Sequence, residues 1–291
     1  MSGSMIVTVD TLVRIPGMTD AYDRCRRMQR RHDPTFYLAT LRLPAHVRPA
    51  IHAVYGYVRG ADEIVDGRGR DSSPERRRAQ LDAWEGELLR GLEAGHSSHP
   101  VIGALVDAGT RYDLPLDELR VYMDSMRVDC GAQVRIGSRR ELDVYMNGSA
   151  ASVGRIMAPL LGVPDSDREQ VAALGVAFQL TNFIRDVRED FEMDRVYLPG
   201  MCENELAAAQ AGAGVRSRVA EEVGRARALF AESIGVTDAV APSLRPGMRF
   251  AAAVYSRVLD RVERSGFDVL GARTTPRPWE LTGAFAGALR G

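Results

Sequence analysis

A chain of 291 residues can bury a sizeable core, and 45% hydrophobic with 26% charged residues is the balance of an ordinary soluble globular protein. A formal net charge of −1 excludes a global electrostatic pull toward nucleic acid, and no run approaches the ~18 apolar residues of a membrane span. The three cysteines, Cys25, Cys130 and Cys202, lie far apart without paired spacing, which supports neither a disulfide framework nor a zinc site.

The opening stretch MSGSMIVTVDTLVRIPG holds only a brief apolar patch, so a cleaved signal is not expected. A cytoplasmic protein is the expectation, with peripheral contact with a membrane surface left open. Helical signals then dominate. Thr19 or Asp20 caps a run to about His32. Pro44 and Pro49 open a long apolar helix that ends near Asp66, where Gly67-Arg68-Gly69 breaks it. Ser73-Pro74-Glu75 starts the next helix, with a cap, a first-turn proline and an acid beside it, and the helix runs to about Leu92. Pro100 and Pro115 open two more, and Ser138 with Glu141 makes a capping box for a helix reaching Leu161. Asp165 starts a helix that ends in an acidic stretch, residues 182–190, followed by Tyr197-Leu198-Pro199. Helices near 203–211, 215–235, 245–265 and 277–290 complete the series. Alternating β-type runs are scarce, and no Asn-Gly turn separates two apolar strands. Segments 67–73 and 211–214 read as loops rather than linkers. The expectation is an all-α fold, a single domain over 1–291.

Two stretches carry most of the chemistry. On the first, Tyr55, Arg59, Asp62 and Asp66 fall at steps of four, three and four, which makes one helical stripe. On the second, Gln179, Asn182, Asp186 and Asp190 recur at steps of three, four and four. Both lie in apolar surroundings, AIHAVYGYVRGA and VAALGVAFQLTNFI, unlike a solvated helix face. An unpaired buried carboxylate costs several kcal/mol. Hard divalent cations compensate it well, and Mg²⁺ characteristically takes one or two carboxylates plus phosphate oxygens. Two facing acidic helices therefore suggest a site that grips a diphosphate through metal. Glu63, Arg188 and Glu189 point elsewhere by helical phase and read as surface charges. Every one of the 38 cationic residues is arginine, so any basic phosphate contact must be a guanidinium fork.

YGYVRGADEIVDG resembles the first aspartate-rich motif of the squalene/phytoene synthase family. GVAFQLTNFIRDVREDFEMDRVYLPG resembles the second, the trailing Arg195-Val196-Tyr197-Leu198-Pro199 included. FYLATLRLP ahead of the first motif, Met126 with Asp129, and YMNGSAASVG (145–154) add to a likeness that runs from about 25 to 275. The resemblance implies an isoprenoid synthase helical bundle with a central prenyl cavity. It further implies Mg²⁺-dependent head-to-head condensation of two prenyl diphosphates through a cyclopropyl intermediate. Geranylgeranyl diphosphate (C20) to phytoene is favoured and C15 substrates are the other option. By position, Asp62, Asp66, Asp186 and Asp190 would be metal-linked, with Asn182 completing the second cluster and Gln179 close by. Arg59 and Arg273 would contact diphosphate, Tyr55 and Tyr197 would stand near the reacting centre, and Phe36 would form pocket wall.

The sequence departs from the family pattern in three places. His32-Asp33-Pro34-Thr35-Phe36 stands where His-Ser-Lys-Ser/Thr-Phe is usual. Asp33 either adds negative charge at the diphosphate mouth or points away and caps a helix opened by Pro34. Ala151 replaces a usual glycine, and the C-terminal basic cluster is thinned to Arg273 and Arg277. The small residues between Gly148 and Gly154 serve either close helix packing or ligand space. One rival reading is a class I terpene cyclase that ionises a single prenyl diphosphate. Another is a non-catalytic member that binds a prenyl lipid, which would not need two acidic clusters. No Gly-rich dinucleotide turn is present, although squalene-forming relatives use NADPH without one. A redox-neutral ending, in which the last cation loses a proton, is expected.

Overall fold

The computed structural model describes residues 17–272. Fourteen α-helices occur among the described residues: α1 Met18–His32, α2 Pro34–Thr40, α3 Arg48–Val65, α4 Pro74–Ala94, α5 Pro100–Tyr112, α6 Glu118–Asp129, α7 Arg139–Met146, α8 Ser152–Met157, α9 Arg168–Arg185, α10 Val187–Glu192, α11 Glu203–Leu206, α12 Ala213–Glu232, α13 Val236–Ala239 and α14 Arg245–Arg264. Two two-residue strands, β1 Val134–Arg135 and β2 Arg195–Val196, pair in parallel, with Val134 opposite Arg195. The all-α expectation holds. The helix expected at 277–290 lies outside the described residues.

Local chemistry explains most boundaries. Ser73 caps α4 by accepting from the Arg76 N–H, Pro74 occupies the first turn, and Gly95 at φ 73° ends the helix in the left-handed region. Ser138 caps α7 by accepting from the Glu141 N–H, while Glu141 accepts from the Gly137 N–H at 2.9 Å. The first helix begins after Gly17, at φ 86°, rather than at a Thr19 or Asp20 cap. Between Pro34 and Pro49 the chain makes the short helix α2 and a turn, so the long apolar helix starts only at Arg48. The expected helix from 138 to 161 is broken instead by a π-helical turn, Asn147–Ala151, and a last 3₁₀ turn at Pro159–Leu161. A π-helical turn bulges one residue out of register, and such bulges recur at functional sites. The helix expected at 203–211 shortens to Glu203–Leu206.

One buried apolar cluster runs from Ala21 in α1 to Leu270 beyond α14. Helix α3 lies against α1 and α5, α9 lies against α8 and α12, and α14 closes over α2 and α9. Close approach of α8 and α9 depends on glycine. A Cβ on Gly154 would stand 2.8 Å from the Val171 carbonyl oxygen, and one on Gly175 would stand 2.8 Å from that of Ala150. No helix of the described residues is long and apolar enough to cross a membrane.

Candidate active site

A cavity of about 250 Å³ opens between α2, the π-helical turn with α8, α9 and α14. Its apolar wall includes Phe36, Leu43, Val153, Met157, Leu174, Phe178 and Met248. The π-helical turn presents Ser149 and Ala150 to this space, and Gly154 lines it as well. The small residues of 148–154 thus serve both packing and room. Ala151 lines a separate depression with Arg155 and Arg225, so the glycine-to-alanine departure does not narrow the cavity.

Polar groups gather at one end, where Gln179, Asn182 and Tyr255 line the wall. Asn182 is hydrogen-bonded to Tyr255 through its side chain, and its Oδ1 is buried with no hydrogen-bond partner. Tyr255 tilts against Phe178 with ring centroids 4.3 Å apart. It comes from α14, a helix without any sequence signal for chemistry, and was not among the expected site residues. Phe36, Gln179 and Asn182 were, and the cavity brings them together. Tyr55 tilts against Phe36 at 6.1 Å, one layer out.

The first acidic stripe is built as its spacing requires. Asp62 lies in the last turn of α3 and Asp66 is the C-cap of that helix, its N–H donating to the Asp62 carbonyl at 2.7 Å. Tyr122 of α6 donates to the Asp62 carboxylate at 3.1 Å. Burial pushes the Asp62 carboxyl up to about 7, Arg59 and Tyr122 oppose the rise, and Asp66 and Asp129 reinforce it. The second stripe is kinked: α9 stops at Arg185, Asp186 turns out of helical geometry at φ −100° and ψ 12°, and α10 resumes at Val187. The hydrogen bonds Asp186 N to Asn182 O and Asp190 N to Asp186 O, both 2.8 Å, carry the ladder across the kink. Burial lifts the Asp190 carboxyl to about 8, and the charges of Asp186, Asp66 and Asp129 add to it. Carboxylates of the two stripes therefore lie within electrostatic reach of one another.

Arginines shape this field. Arg185 grips Asp186 with two 2.6 Å bonds. Arg59 pairs with Glu63, and Glu63 also stands 3.5 Å from His32 Nδ1. Glu63 is thus no free surface charge, because it occupies the guanidinium expected to meet diphosphate. Arg188 is likewise committed, donating to the carbonyls of Leu270, Ala208 and Ala209. Arg195, which the stripes did not single out, is buried against Asp66. The signal that could have exposed it was its place beside Tyr197 in the second motif.

Behind the stripes, Asp129 accepts from Tyr145 at 2.6 Å and from Tyr197 at 2.7 Å. Burial raises the Asp129 carboxyl to about 6, opposed by Arg195 and both tyrosines. Tyr197 stacks on Phe183 at 4.3 Å and lies outside the apolar cavity. The Asp33 alternatives are settled for its hydrogen bonding: its carboxylate caps α2, accepting from the Phe36 N–H at 2.8 Å. Its charge still acts on the hydroxyls of Tyr55 and Tyr255. Arg273 and Arg277 lie outside the described residues.

Among the described residues no three acidic, His or Cys side chains form a ready-made metal cage. The partnerless Asn182 Oδ1 and the lifted Asp62 and Asp190 carboxyls are oxygen donors short of a cation. The residues fit a divalent metal.

Known proteins resemble this chain in sequence and fold. Residues 29–280 match the family described as squalene/phytoene synthase. A phytoene synthase of Thermus thermophilus is 36% identical over 264 residues, 87% of each chain. A 15-cis-phytoene synthase of Synechococcus elongatus is 30% identical over 285 residues, 91% of each. Among solved structures, a dehydrosqualene synthase superposes with a TM-score of 0.84 at 24% identity, covering 94% of this chain and 96% of its own, which speaks for the fold. A squalene synthase of Alicyclobacillus acidocaldarius superposes with a TM-score of 0.76 at 29% identity, covering 87% and 97%.

Proposed function

The chain belongs to the squalene/phytoene synthase family and is a prenyltransferase, and from that premise we propose how its own residues perform head-to-head condensation of two prenyl diphosphates, geranylgeranyl diphosphate to phytoene being the reaction that its relatives support. One observation carries the reading: an apolar cavity ends at Gln179 and Asn182, the first two residues of the second acidic stripe. A molecule with a long apolar tail and a charged diphosphate head fits that polarity.

The family depends on divalent metal, and we assign Mg²⁺, held by Asp62 and Asp66 on one side and by Asn182, Asp186 and Asp190 on the other. Bound there, the metal would neutralise charge that develops on the departing diphosphate. Arg59 would turn from Glu63 to diphosphate oxygens, exchanging one anion for another. Gln179 stands at the polar end of the cavity, where it would orient the head groups. Phe36, Phe178, Tyr55 and Tyr255 would offer ring faces to an allylic cation, each worth up to ~2 kcal/mol in a desolvated site. Tyr197, held by Asp129, would act from behind, fixing the second motif against α6 and α7. The apolar wall excludes water, which would otherwise trap the cation as an alcohol. The final cation would lose a proton, with no reductant. We read the whole chain as one isoprenoid synthase domain.

The test is incubation of the purified protein with C10, C15 and C20 diphosphates and Mg²⁺, with products identified by mass and pyrophosphate counted. Two pyrophosphates per hydrocarbon, formed without nicotinamide, is the expected result. One pyrophosphate per cyclic product of unchanged carbon number would establish the cyclase reading instead.

A further inference from the structure

Arg195 occupies a position that neither acidic stripe announces. The pairing of β2 with β1 carries it beneath the end of α3, and it is only 6% exposed. Its Nη2 meets the Asp66 carboxylate and points toward two backbone carbonyls, Asp129 at 3.3 Å and Val65 at 3.5 Å. The carboxylates of Asp129 and Asp190 both feel its charge. The neighbouring guanidiniums are engaged otherwise, Arg59 with Glu63 and Arg185 with Asp186. Arg195 therefore contacts the carboxylate at the C-cap of α3 and acts through its charge on those of α6 and α10. Without it those like charges would repel across the gap that diphosphate must enter.

We propose that Arg195 is a built-in counter-ion that stands in for metal in the empty enzyme, holding the two acidic stripes face to face and keeping free divalent cation off Asp66 until diphosphate arrives. This rests on the metal assignment above and adds an order of events to it. Diphosphate brings its own negative charge, which draws metal and lets Asp66 turn from the guanidinium. The carbonyls of Val65 and Asp129 are neutral backbone acceptors, separate from the Asp66 side chain. They keep Arg195 in place after the exchange, so the device resets when product leaves. Metal uptake and substrate binding are thereby coupled, and a prenyl diphosphate is not ionised by a half-assembled site.

Equilibrium dialysis with Mn²⁺, with and without inorganic pyrophosphate, tests the inference on wild type, Arg195→Met and Arg195→Lys. Methionine keeps apolar bulk and removes the charge. Lysine keeps the charge. Wild type should take up Mn²⁺ weakly alone and at least about tenfold more tightly with pyrophosphate, the lower range of coupling between linked sites. Arg195→Met should bind Mn²⁺ alone about tenfold more tightly than wild type and gain little from pyrophosphate, whereas Arg195→Lys should behave as wild type. A residue with a merely structural role would not tighten metal binding when removed. Equal or weaker Mn²⁺ affinity in Arg195→Met overturns the inference. If that variant fails to fold, wild type alone decides, because Mn²⁺ bound as tightly without pyrophosphate as with it also overturns the inference. No Mn²⁺ uptake by wild type under either condition would instead overturn the metal assignment, and the inference with it.

Discussion

Asp62→Asn separates stability from chemistry at one atom. The substitution keeps an acceptor for the Tyr122 hydroxyl, 3.1 Å away, and removes a carboxylate that burial, Asp66 and Asp129 all disfavour. The carboxyl rises from 3.8 to about 7 in the folded protein. Between those two values the native state holds a proton that the unfolded chain has already released, so stability falls as pH climbs through that window. The contribution is fully present below about pH 4 and lost above about pH 7. A gap of roughly three pKa units corresponds to at most about 4 kcal/mol. Asparagine does not ionise and escapes this loss. The variant should therefore match wild type near pH 4 and exceed it at pH 8 by at least about 1 kcal/mol in metal-free urea denaturation. Turnover should move the other way. Loss of one metal-holding group at the leaving diphosphate should cut pyrophosphate release at least ~10²-fold. A stability difference that is the same at both pH values would refute the repulsion argument, and full activity in the variant, or in EDTA, would refute the metal role.

Three further outcomes follow from particular contacts. Glu63→Gln frees Arg59 from its ion pair, so inorganic pyrophosphate should bind severalfold more tightly by calorimetry, and weaker binding would show that Glu63 helps to hold the ligand. Asp33→Ala removes the cap of α2, which forms cavity wall, and should cost about 1 kcal/mol, with Asp33→Ser restoring it and the ratio of two pyrophosphates per hydrocarbon unchanged. Gly154→Ala pushes a methyl group against the Ala172 Cα at 2.7 Å and should lower Tm by several degrees, about 1–3 kcal/mol, whereas Gly224→Ala meets nothing within 4 Å on an exposed turn of α12 and should stabilise by up to about 1 kcal/mol; similar Tm values for the two would refute the packing argument.

Much of this protein was legible in its sequence, because helical periodicity and capping are local. The stripe Tyr55, Arg59, Asp62, Asp66 needed only a period of 3.6 residues, and α3 supplies it unbroken as far as its C-cap. The second stripe, the caps at Ser73 and Ser138 and the scarcity of strands were readable for the same reason. Family likeness added the enzymatic class through residues that are contiguous in the chain. What the sequence could not contain was pairing between distant segments. Which arginine answers which carboxylate depended on tertiary approach: Arg195 reaches Asp66 across 129 positions only because β2 pairs with β1, and Glu63 turns back on Arg59 rather than into solvent. Tyr255 joins the site because α14 folds over α2 and α9, a contact with no periodic signature. The π-helical turn at Asn147–Ala151 packs against both α6 and α9, neighbours that no local signal announces. Charge and shape at a buried site are sums over neighbours, and the fold alone determines which neighbours those are.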